Sequence, residues 1–240
     1  MDSDLRDKVA VISGASHGLG QAVAQDLAAR GVHVVMIARG EQRLQQAADD
    51  IRASGGVATV MPCDVSDAAQ VQKAAVEVQE SFGAVDILVN NAGIPAPRTF
   101  LETDSSDWDA VIGVNLSGVF YLTRALWDCL LRADSACVIN ISGTAGARGG
   151  GSPAYGSAKF GLTGLNHAIA LAGVDHNIRS TILYPGGMDT GWRGAPIGEM
   201  PRSESMDPAE VARFITGLVS SPPEFVVNEA VLNPLDHPYM

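Results

Sequence analysis

Short apolar runs rich in β-branched residues alternate along this chain with longer amphipathic segments. The alternation predicts parallel β-strands joined by crossover helices, because parallel neighbours need a long connection. Several of the short runs are continuously apolar, which is typical of strands buried on both faces of a sheet. We therefore expect an α/β fold, a doubly wound parallel sheet of about seven strands with helices on both faces.

The length and composition favour one domain over residues 1–240, since 240 residues with 46% hydrophobic content can bury one sizeable core. A segment without periodicity, at about 191–206, is expected to be irregular. The predicted strands are 8–13, 32–38, 57–62, 85–90, 136–141, 178–183 and 225–232. The predicted helices are 19–30, 41–53, 67–82, 106–131, 153–174 and 208–220.

The net charge of the chain limits the classes of molecule that it is expected to bind. A net charge of -11 without dense Lys and Arg clusters disfavours nucleic acid and anionic membrane surfaces. The amino terminus lacks a signal-peptide pattern, and no apolar run reaches membrane-spanning length. The three cysteines lie in apolar segments without pairing or ligand spacing, so we expect reduced thiols in a cytoplasmic protein. The histidines also lack partners at ligand spacing, so no metal site is expected.

A glycine-rich turn, Ser13-Gly-Ala-Ser-His-Gly-Leu-Gly20, follows the first predicted strand and precedes a helix. Its glycines permit a tight turn and a close backbone approach to a pyrophosphate, and the helix amino terminus offers unpaired amides to that charge. Three glycines would also suit a turn that only joins a strand to a helix. The strand-turn-helix context favours a dinucleotide site in a Rossmann-like domain.

The second predicted strand ends at Ile37-Ala38-Arg39, where the adenosine ribose of a dinucleotide is expected. An acid at this tip would bond the 2′-hydroxyl, whereas Arg39 can hold a 2′-phosphate with a bidentate fork. Arg43 and His17 are candidates to assist. The sequence favours NADPH over NADH, although Arg39 would also suit a solvated loop.

Tyr155 and Lys159 are four residues apart in a predicted helix, so their side chains share one face. A tyrosine ordinarily holds its proton to a pKa of about 10, and a nearby ammonium favours the phenolate and brings proton transfer toward neutral pH. Such a pair also occurs by chance on a solvated helix face. Its chemical meaning depends on whether the fold brings a hydride donor to Tyr155.

Six motifs in order resemble the short-chain dehydrogenase/reductase family over residues 8–190. They are the Ser13-to-Gly20 turn, Cys63-Asp64-Val65, Asn90-Asn91-Ala92-Gly93, Asn115, Tyr155 with Lys159, and Pro185-Gly186 with Thr190. The resemblance implies an NADP(H)-dependent oxidoreductase that interconverts a carbonyl and a secondary alcohol on a small molecule. Two alternatives are a 3-oxoacyl-(acyl-carrier-protein) reductase and, from another class, a non-catalytic NADP(H)-binding regulator.

The resemblance also implies roles for particular residues. Tyr155 would exchange a proton with the substrate oxygen, and Lys159 would hold the nicotinamide ribose and lower the tyrosine pKa. Asn115 would anchor a water that links Lys159 to solvent, and Thr190 would hold the carboxamide. The implied cofactor set is Gly14, Ser16, His17, Gly18, Leu19, Gly20, Arg39, Asp64, Val65, Asn91, Ala92, Gly93, Tyr155, Lys159, Pro185, Gly186 and Thr190.

The family uses a serine to polarise the carbonyl, usually the second of a doublet, and here this chain departs from the pattern. The local sequence is Asn140-Ile-Ser142-Gly143-Thr144, which puts Gly143 at the working position by motif alignment. Ser142 lies thirteen residues before Tyr155, the usual separation, and is the favoured candidate. Thr144 is a third.

The substrate side of the site is predicted from the same resemblance. In relatives, the loop matching about 191–206 covers the substrate, so Ile94, Gly187 and Trp192 are candidate substrate contacts. Relatives form homodimers or homotetramers through the long helix and the Tyr155 helix. The acidic composition lacks a basic patch for an acidic carrier protein, which favours a free small molecule.

Overall fold

A computed structural model describes residues 5–96, 99–149, 152–192, 197–199, 201 and 203–236. Its strands are β1 (Val9–Ser13), β2 (His33–Ala38), β3 (Val57–Pro62), β4 (Ile87–Asn90), β5 (Ala136–Ile141), β6 (Ile178–Pro185) and β7 (Glu229–Leu232). All seven pair in parallel in the order β3-β2-β1-β4-β5-β6-β7. The predicted seven-stranded, Rossmann-like sheet is confirmed.

The helices that cross between these strands begin with α1 (Gly18–Ala28), α2 (Glu41–Ala53) and α3 (Ala68–Phe82). They continue with α4 (Ser105–Ile112), α5 (Gly118–Ala125), α6 (Trp127–Leu131), α7 (Thr144–Arg148), α8 (Pro153–Gly173) and α9 (Pro208–Val219). None of the helices in the described ranges is long and apolar enough to cross a bilayer.

The sheet is buried on both faces. Along β1, Ala10 and Ile12 join the apolar cluster that includes α1, α2 and α9, whereas Val11 joins the cluster that includes α3 and α5. Side chains of a strand point alternately to the two faces, so one apolar strand supplies both cores. This double burial accounts for the continuously apolar runs in the sequence.

The strand order reverses between β1 and β4, and a side-chain contact joins the carboxyl ends of these two strands. Ser13 Oγ, at the end of β1, accepts hydrogen bonds from the backbone N–H groups of Asn91 at 3.0 Å and Ala92 at 3.1 Å. Ser13 is only 2% exposed. The reversal leaves a crevice at this edge, which is where open α/β sheets bind ligands.

The predicted single helix over 106–131 is wrong in detail, because a π-helical turn at Gly113–Ser117 separates α4 from α5. Asn115 lies in that turn, and its amide group bonds backbone atoms of Ile94 and Val111. A π-helical turn inserts an extra residue into a helix. Here it brings a buried amide to the loop that follows β4.

Two further elements differ from the prediction by more than two residues. Strand β7 is shorter than 225–232, because the carbonyls of Phe225 and Val227 accept hydrogen bonds from the side chains of Arg179 and Thr181. Helix α7 was not expected, since its sequence lies in a glycine-rich region that predicts a loop. Its amino-terminal neighbour, Gly143, accepts a backbone hydrogen bond from Gly146 at 2.8 Å.

We predict that Ser13→Ala destabilises the fold by about 1–3 kcal/mol, because it removes the acceptor of two backbone N–H groups in a buried junction. Urea unfolding followed by circular dichroism measures the loss. Ser13→Thr keeps the hydroxyl and serves as the matched control. A free energy of unfolding for Ser13→Ala equal to that of the wild type would contradict the assigned contact.

Candidate active site

The glycine turn after β1 folds as a tight cradle. Gly14 has a φ of +67°, a left-handed conformation that side chains rarely adopt. A Cβ on Gly14 would lie 2.8 Å from Asn91 Nδ2, and a Cβ on Gly20 would overlap the carbonyl oxygen of Gly14. The glycine-rich turn after β1 and the first helical turn of α1 therefore pack at a distance that only glycine permits.

The amino terminus of α1 opens into this cradle. His17 precedes the helix in an extended conformation, and within the described residues no side chain caps the first turn or brings an acidic charge to it. Ser16 Oγ lies 3.1 Å from His17 Nδ1, and Leu19 is buried beneath the turn. Uncapped amides at a helix amino terminus attract an anion, so the cradle fits a pyrophosphate.

Arg39 follows β2 at the same edge of the sheet. Its Nη1 lies 3.8 Å from Asp64 Oδ2, and its side chain is 61% exposed, so its other donors are accessible from solvent. Asp64 is held in place through its other oxygen, which accepts from Ser66 N at 2.9 Å and Ser66 Oγ at 2.7 Å. The ion pair aims the guanidinium and leaves most of its bonding capacity for a ligand.

His17 and Arg43 add to this end of the site. Partial burial, and then the positive charge of Arg43, lower the pKa of His17 below its ordinary value. The imidazole is therefore neutral at pH 7, and the fixed positive charge here comes from Arg39 and Arg43. The next residue of the Asp64 motif, Val65, is buried, and a Cβ on Gly118 of α5 would lie 2.9 Å from its Cγ2.

The segment after β4 lines the crevice opposite the glycine turn. Asn91 Nδ2 donates to the carbonyls of Ser13 at 3.0 Å and Gly14 at 3.2 Å, which ties the segment to the turn. A Cβ on Gly93 would lie 2.7 Å from Asn115 Oδ1 and 3.2 Å from the ring of Trp192. Ala92 packs partly buried against the core. Gly93 thus lets the backbone pack closely between the amide and the indole.

The fully buried side chain of Asn115 grips the backbone of Ile94. Its Oδ1 accepts from Ile94 N at 3.2 Å, and its Nδ2 donates to Ile94 O at 3.0 Å and Val111 O at 3.0 Å. The amide therefore fixes the loop after β4 against the π-helical turn. These hydrogen bonds are made by the side chain of Asn115. The other role that the resemblance implies for Asn115, anchoring a water that links Lys159 to solvent, stays a prediction.

Tyr155 and Lys159 lie on one face of α8, as their spacing predicts. Ser152 accepts from Tyr155 N at 3.4 Å and Pro153 occupies the first turn, so the helix begins at a defined residue before the pair. Lys159 Nζ lies 5.8 Å from the centre of the Tyr155 ring and donates to Ile141 O at 2.8 Å. The carbonyl at the end of β5 thus holds the ammonium beside the phenol.

Lys159 is 3% exposed. Burial lowers its pKa from 10.5 to about 8, because desolvation disfavours the charged form. At pH 7 the side chain is still mostly cationic. Because water solvates this ammonium poorly, it is a strong hydrogen-bond donor to any hydroxyl or phenolate in the site.

The side chain of Ser142, the favoured candidate for the serine that faces the substrate, does not point toward Tyr155 in the structure. Ser142 is 4% exposed, and its Oγ donates to Lys159 O at 3.1 Å. Its side chain therefore turns toward the backbone of α8. The neighbouring Gly143 faces Tyr155 instead, since a Cβ built on it would lie 3.2 Å from the Tyr155 hydroxyl. Thr144 follows as the first residue of α7 and is half-buried.

The loop after β6 closes the other side of the crevice. Pro185 is buried at the end of β6, and the backbone N–H of Gly186 donates to Leu232 O at 2.7 Å. Thr190 lies against the glycine turn, because a Cβ on Gly18 would be 3.1 Å from Thr190 Cβ. This loop therefore spans from β7 to the cradle.

The three candidate substrate residues lie in the segments that follow β4 and β6. Trp192 approaches Gly93, Ile94 is held by Asn115, and Gly187 O accepts from Met206 N at 2.9 Å. Residues 193–196, 200 and 202 of the expected covering loop, and Gly150 and Gly151 of the glycine-rich loop, lie outside the described residues.

Sequence reasoning missed a buried polar web behind the site. Asn90 Nδ2 donates to Thr123 Oγ1 at 2.9 Å and Asn140 Oδ1 at 2.8 Å, and Asn140 Nδ2 donates to Asn166 Oδ1 at 2.9 Å. Ser180 Oγ also donates to Asn166 Oδ1, at 2.8 Å. The web joins β4, β5 and β6 to α5 and α8. Its signal was an asparagine at the same register in two neighbouring apolar strands.

We predict that Lys159→Met gains most stability over the wild type below pH 8, and that the gain shrinks between pH 8 and 10.5. The folded pKa of Lys159 is about 8 and the ordinary value is 10.5, so the unfolded chain binds more protons in this window. The cost of burying the cation is therefore full below pH 8 and is relieved as pH rises. Urea unfolding of both proteins across this range measures the difference. A constant difference would contradict the burial of a charged lysine.

Comparison with known proteins agrees with this geometry. Residues 8–196 match the short chain dehydrogenase family. A 3-oxoacyl-(acyl-carrier-protein) reductase of Escherichia coli is 30% identical over 233 residues, which cover 93% of this chain and 94% of that protein. The structure of an alcohol dehydrogenase from the archaeon Thermococcus sibiricus, complexed with 5-hydroxy-NADP, superposes with a TM-score of 0.91 at 29% identity, covering 98% and 100% of the two chains.

An L-sorbose reductase from Gluconobacter frateurii, complexed with NADPH and L-sorbose, superposes with a TM-score of 0.89 at 26% identity, covering 99% and 100% of the two chains. The six sequence motifs meet at one edge of the sheet, and the family match spans most of the chain. This chain therefore belongs to the short chain dehydrogenase family.

Proposed function

We propose that this protein binds NADP(H) and interconverts a carbonyl and a secondary alcohol on a small molecule. The observation that carries the proposal is the pair of Tyr155 and Lys159, which share one face of α8 with the ammonium held 5.8 Å from the phenol ring. A phenol beside a desolvated cation suits proton exchange near neutral pH. The similar proteins described above act, by their names, on carbonyls or alcohols.

In reduction, bound NADPH supplies a hydride to the carbonyl carbon. Tyr155 donates the proton that the developing alkoxide needs, and the ammonium of Lys159 stabilises the phenolate left behind. The carbonyl of Ile141, 2.8 Å from Lys159 Nζ, keeps that ammonium in position without neutralising its charge. In oxidation the phenolate takes the proton from the alcohol, by microscopic reversibility.

The proposed binding of NADP(H) rests on the glycine cradle and on Arg39. The cradle accepts the pyrophosphate at the amino terminus of α1, and Arg39 with Arg43 offers two positive charges where the 2′-phosphate would lie. Asp64 and Val65 would flank the adenine. Two similar solved structures hold NADPH or an NADP derivative, which supports the same preference in this chain.

We also propose that the chain assembles as a homodimer or homotetramer and works in the cytoplasm. Helices α5 and α8 expose large apolar side chains, among them Phe120 at 50% and Phe160 at 57%, and such surfaces favour association with a second copy. The three cysteines are free and buried, which suits a reducing compartment.

We predict that Tyr155→Phe lowers carbonyl reduction by at least about a thousandfold, because it removes the proton donor and leaves the ring in place. The measurement is NADPH oxidation with a panel of small ketones and one 3-oxoacyl thioester of the acyl carrier protein. NADPH binding, followed by its fluorescence, serves as the control and is expected to change little.

Intact turnover in Tyr155→Phe would show that another group delivers the proton. Tight NADPH binding without reduction of any carbonyl, by the wild type, would favour the non-catalytic regulator. Preference for the carrier-protein thioester would move the substrate assignment to acyl chains. These outcomes separate the three functions considered for the chain.

We predict that Arg39→Asp raises the dissociation constant for NADPH about 10- to 100-fold and changes that for NADH much less, because a charge-assisted contact to the 2′-phosphate is lost. Arg39→Gln removes the charge without adding repulsion and is the matched control. Titration of both cofactors by fluorescence measures the effect. Equal losses for NADPH and NADH would mean that Arg39 does not contact the phosphate.

A further inference from the structure

Position 143 faces the place where the substrate oxygen must lie. A carbonyl oxygen that accepts the Tyr155 proton lies within hydrogen-bond distance of the Tyr155 hydroxyl. A Cβ on Gly143 would lie 3.2 Å from that hydroxyl and 3.8 Å from Pro185 O. A side chain at position 143 would therefore project beside the reacting oxygen, and glycine provides none.

The serine next to it does not fill this role. Ser142 Oγ donates to Lys159 O at 3.1 Å, and a Cβ on Gly146 would overlap it. The backbone N–H of Ser142 also donates to Leu183 O at 2.8 Å, in register with β6. Rotation of this hydroxyl toward Tyr155 would break a buried hydrogen bond and is therefore disfavoured.

The loss of a hydrogen-bond donor slows the reaction most when negative charge builds up on the substrate oxygen. Removal of one oxyanion donor typically slows acyl-transfer enzymes by roughly 10²–10³-fold. A carbonyl that carries an adjacent electron-withdrawing group spreads this charge into the substrate itself. Such a carbonyl depends less on a second donor than a simple ketone does.

We propose that Gly143 makes this site selective for activated carbonyls, such as 1,2-diketones and 2-oxo esters. The inference rests on the carbonyl reduction proposed above. In each turnover the carbonyl carbon gains a hydride from NADPH, its π electrons move to oxygen, and that oxygen takes the proton of Tyr155. The carbonyl is reduced by two electrons to an alcohol, and NADPH is oxidised to NADP+.

The test compares 2,3-butanedione with 2-butanone, which share a carbon chain and differ by the second carbonyl group. Gly143→Ser is expected to raise kcat/KM for 2-butanone by at least about tenfold, and to raise that for 2,3-butanedione much less. The wild-type preference for the diketone therefore falls in the variant. The change in this ratio is the readout, because a diketone is intrinsically more reactive in any enzyme.

Gly143→Ala is the matched control, since it adds the Cβ without the hydroxyl. The φ of Gly143 is +158°, so both variants carry the same backbone strain, and their free energies of unfolding are compared directly. With deuterated NADPH, the primary isotope effect on 2-butanone reduction is expected to fall in Gly143→Ser only. The dissociation constant for NADPH is expected to stay the same in both variants.

Equal substrate ratios in Gly143→Ser and Gly143→Ala would overturn the proposal. So would a hundredfold loss with 2-butanone in Thr144→Val, because Thr144 would then be the second donor. If Gly143→Ser does not fold, para-substituted acetophenones are reduced by the wild type and, as the reference for intrinsic reactivity, by borohydride in water. A rise of kcat/KM with electron withdrawal that is steeper than this reference supports the proposal, and an equal or flatter rise contradicts it. Absence of any carbonyl reduction despite NADPH binding would instead reject the proposed function.

Discussion

The burial of Lys159 is the constraint on which the rest of the site depends. An ammonium that is 3% exposed loses most of its hydration, and within the described residues no carboxylate pairs with it. It contacts the carbonyl of Ile141 and the face of the Tyr155 ring. A cation held in this way costs folding free energy and is a strong donor toward a ligand oxygen. The site keeps its charge at pH 7 because the pKa falls only to about 8.

The parallel sheet, rather than the field of distant charges, positions the ammonium of Lys159. Strand β5 ends at Ile141, so the carbonyl that binds Lys159 lies at the same edge as the glycine turn after β1. The Ser13 hydroxyl fixes β1 to the segment after β4, and the web of Asn90, Asn140 and Asn166 fixes β4 and β5 to α8. Buried hydrogen bonds that join several elements in this way favour one arrangement of the strands. The tyrosine, the lysine and the glycine cradle are therefore carried on one rigid frame.

Most of the fold could be predicted from the sequence, because apolar periodicity and glycine spacing depend on local physics. The strand limits of β2, β3 and β5 differ from prediction by at most one residue. The errors occur where a distant contact overrides the local pattern. Asn115 distorts the long helix to reach Ile94, and Arg179 draws the backbone of Phe225 out of the last strand. Neither partner can be identified from spacing along the chain.

The same limit applies to the direction of the Ser142 side chain. The number of residues before Tyr155 predicts that direction only if the intervening loop has a fixed shape, and these residues include the helix α7. The direction of a side chain depends on the backbone there, and only the structure showed that Gly143 faces the phenol. The positions of Tyr155 and Lys159 relative to each other were predictable, because a helix fixes them within a single turn.

A crystal structure of the complex with NADPH tests the central claim most directly. We expect the pyrophosphate over Gly14 and Gly18, the 2′-phosphate against Arg39, and the nicotinamide ring beside Tyr155 with its ribose hydroxyls on Lys159 Nζ. Gly143, which contributes no hydroxyl, would then lie beside the substrate oxygen next to Tyr155. A nicotinamide ring bound away from Tyr155, or a ribose that does not contact Lys159, would contradict the account.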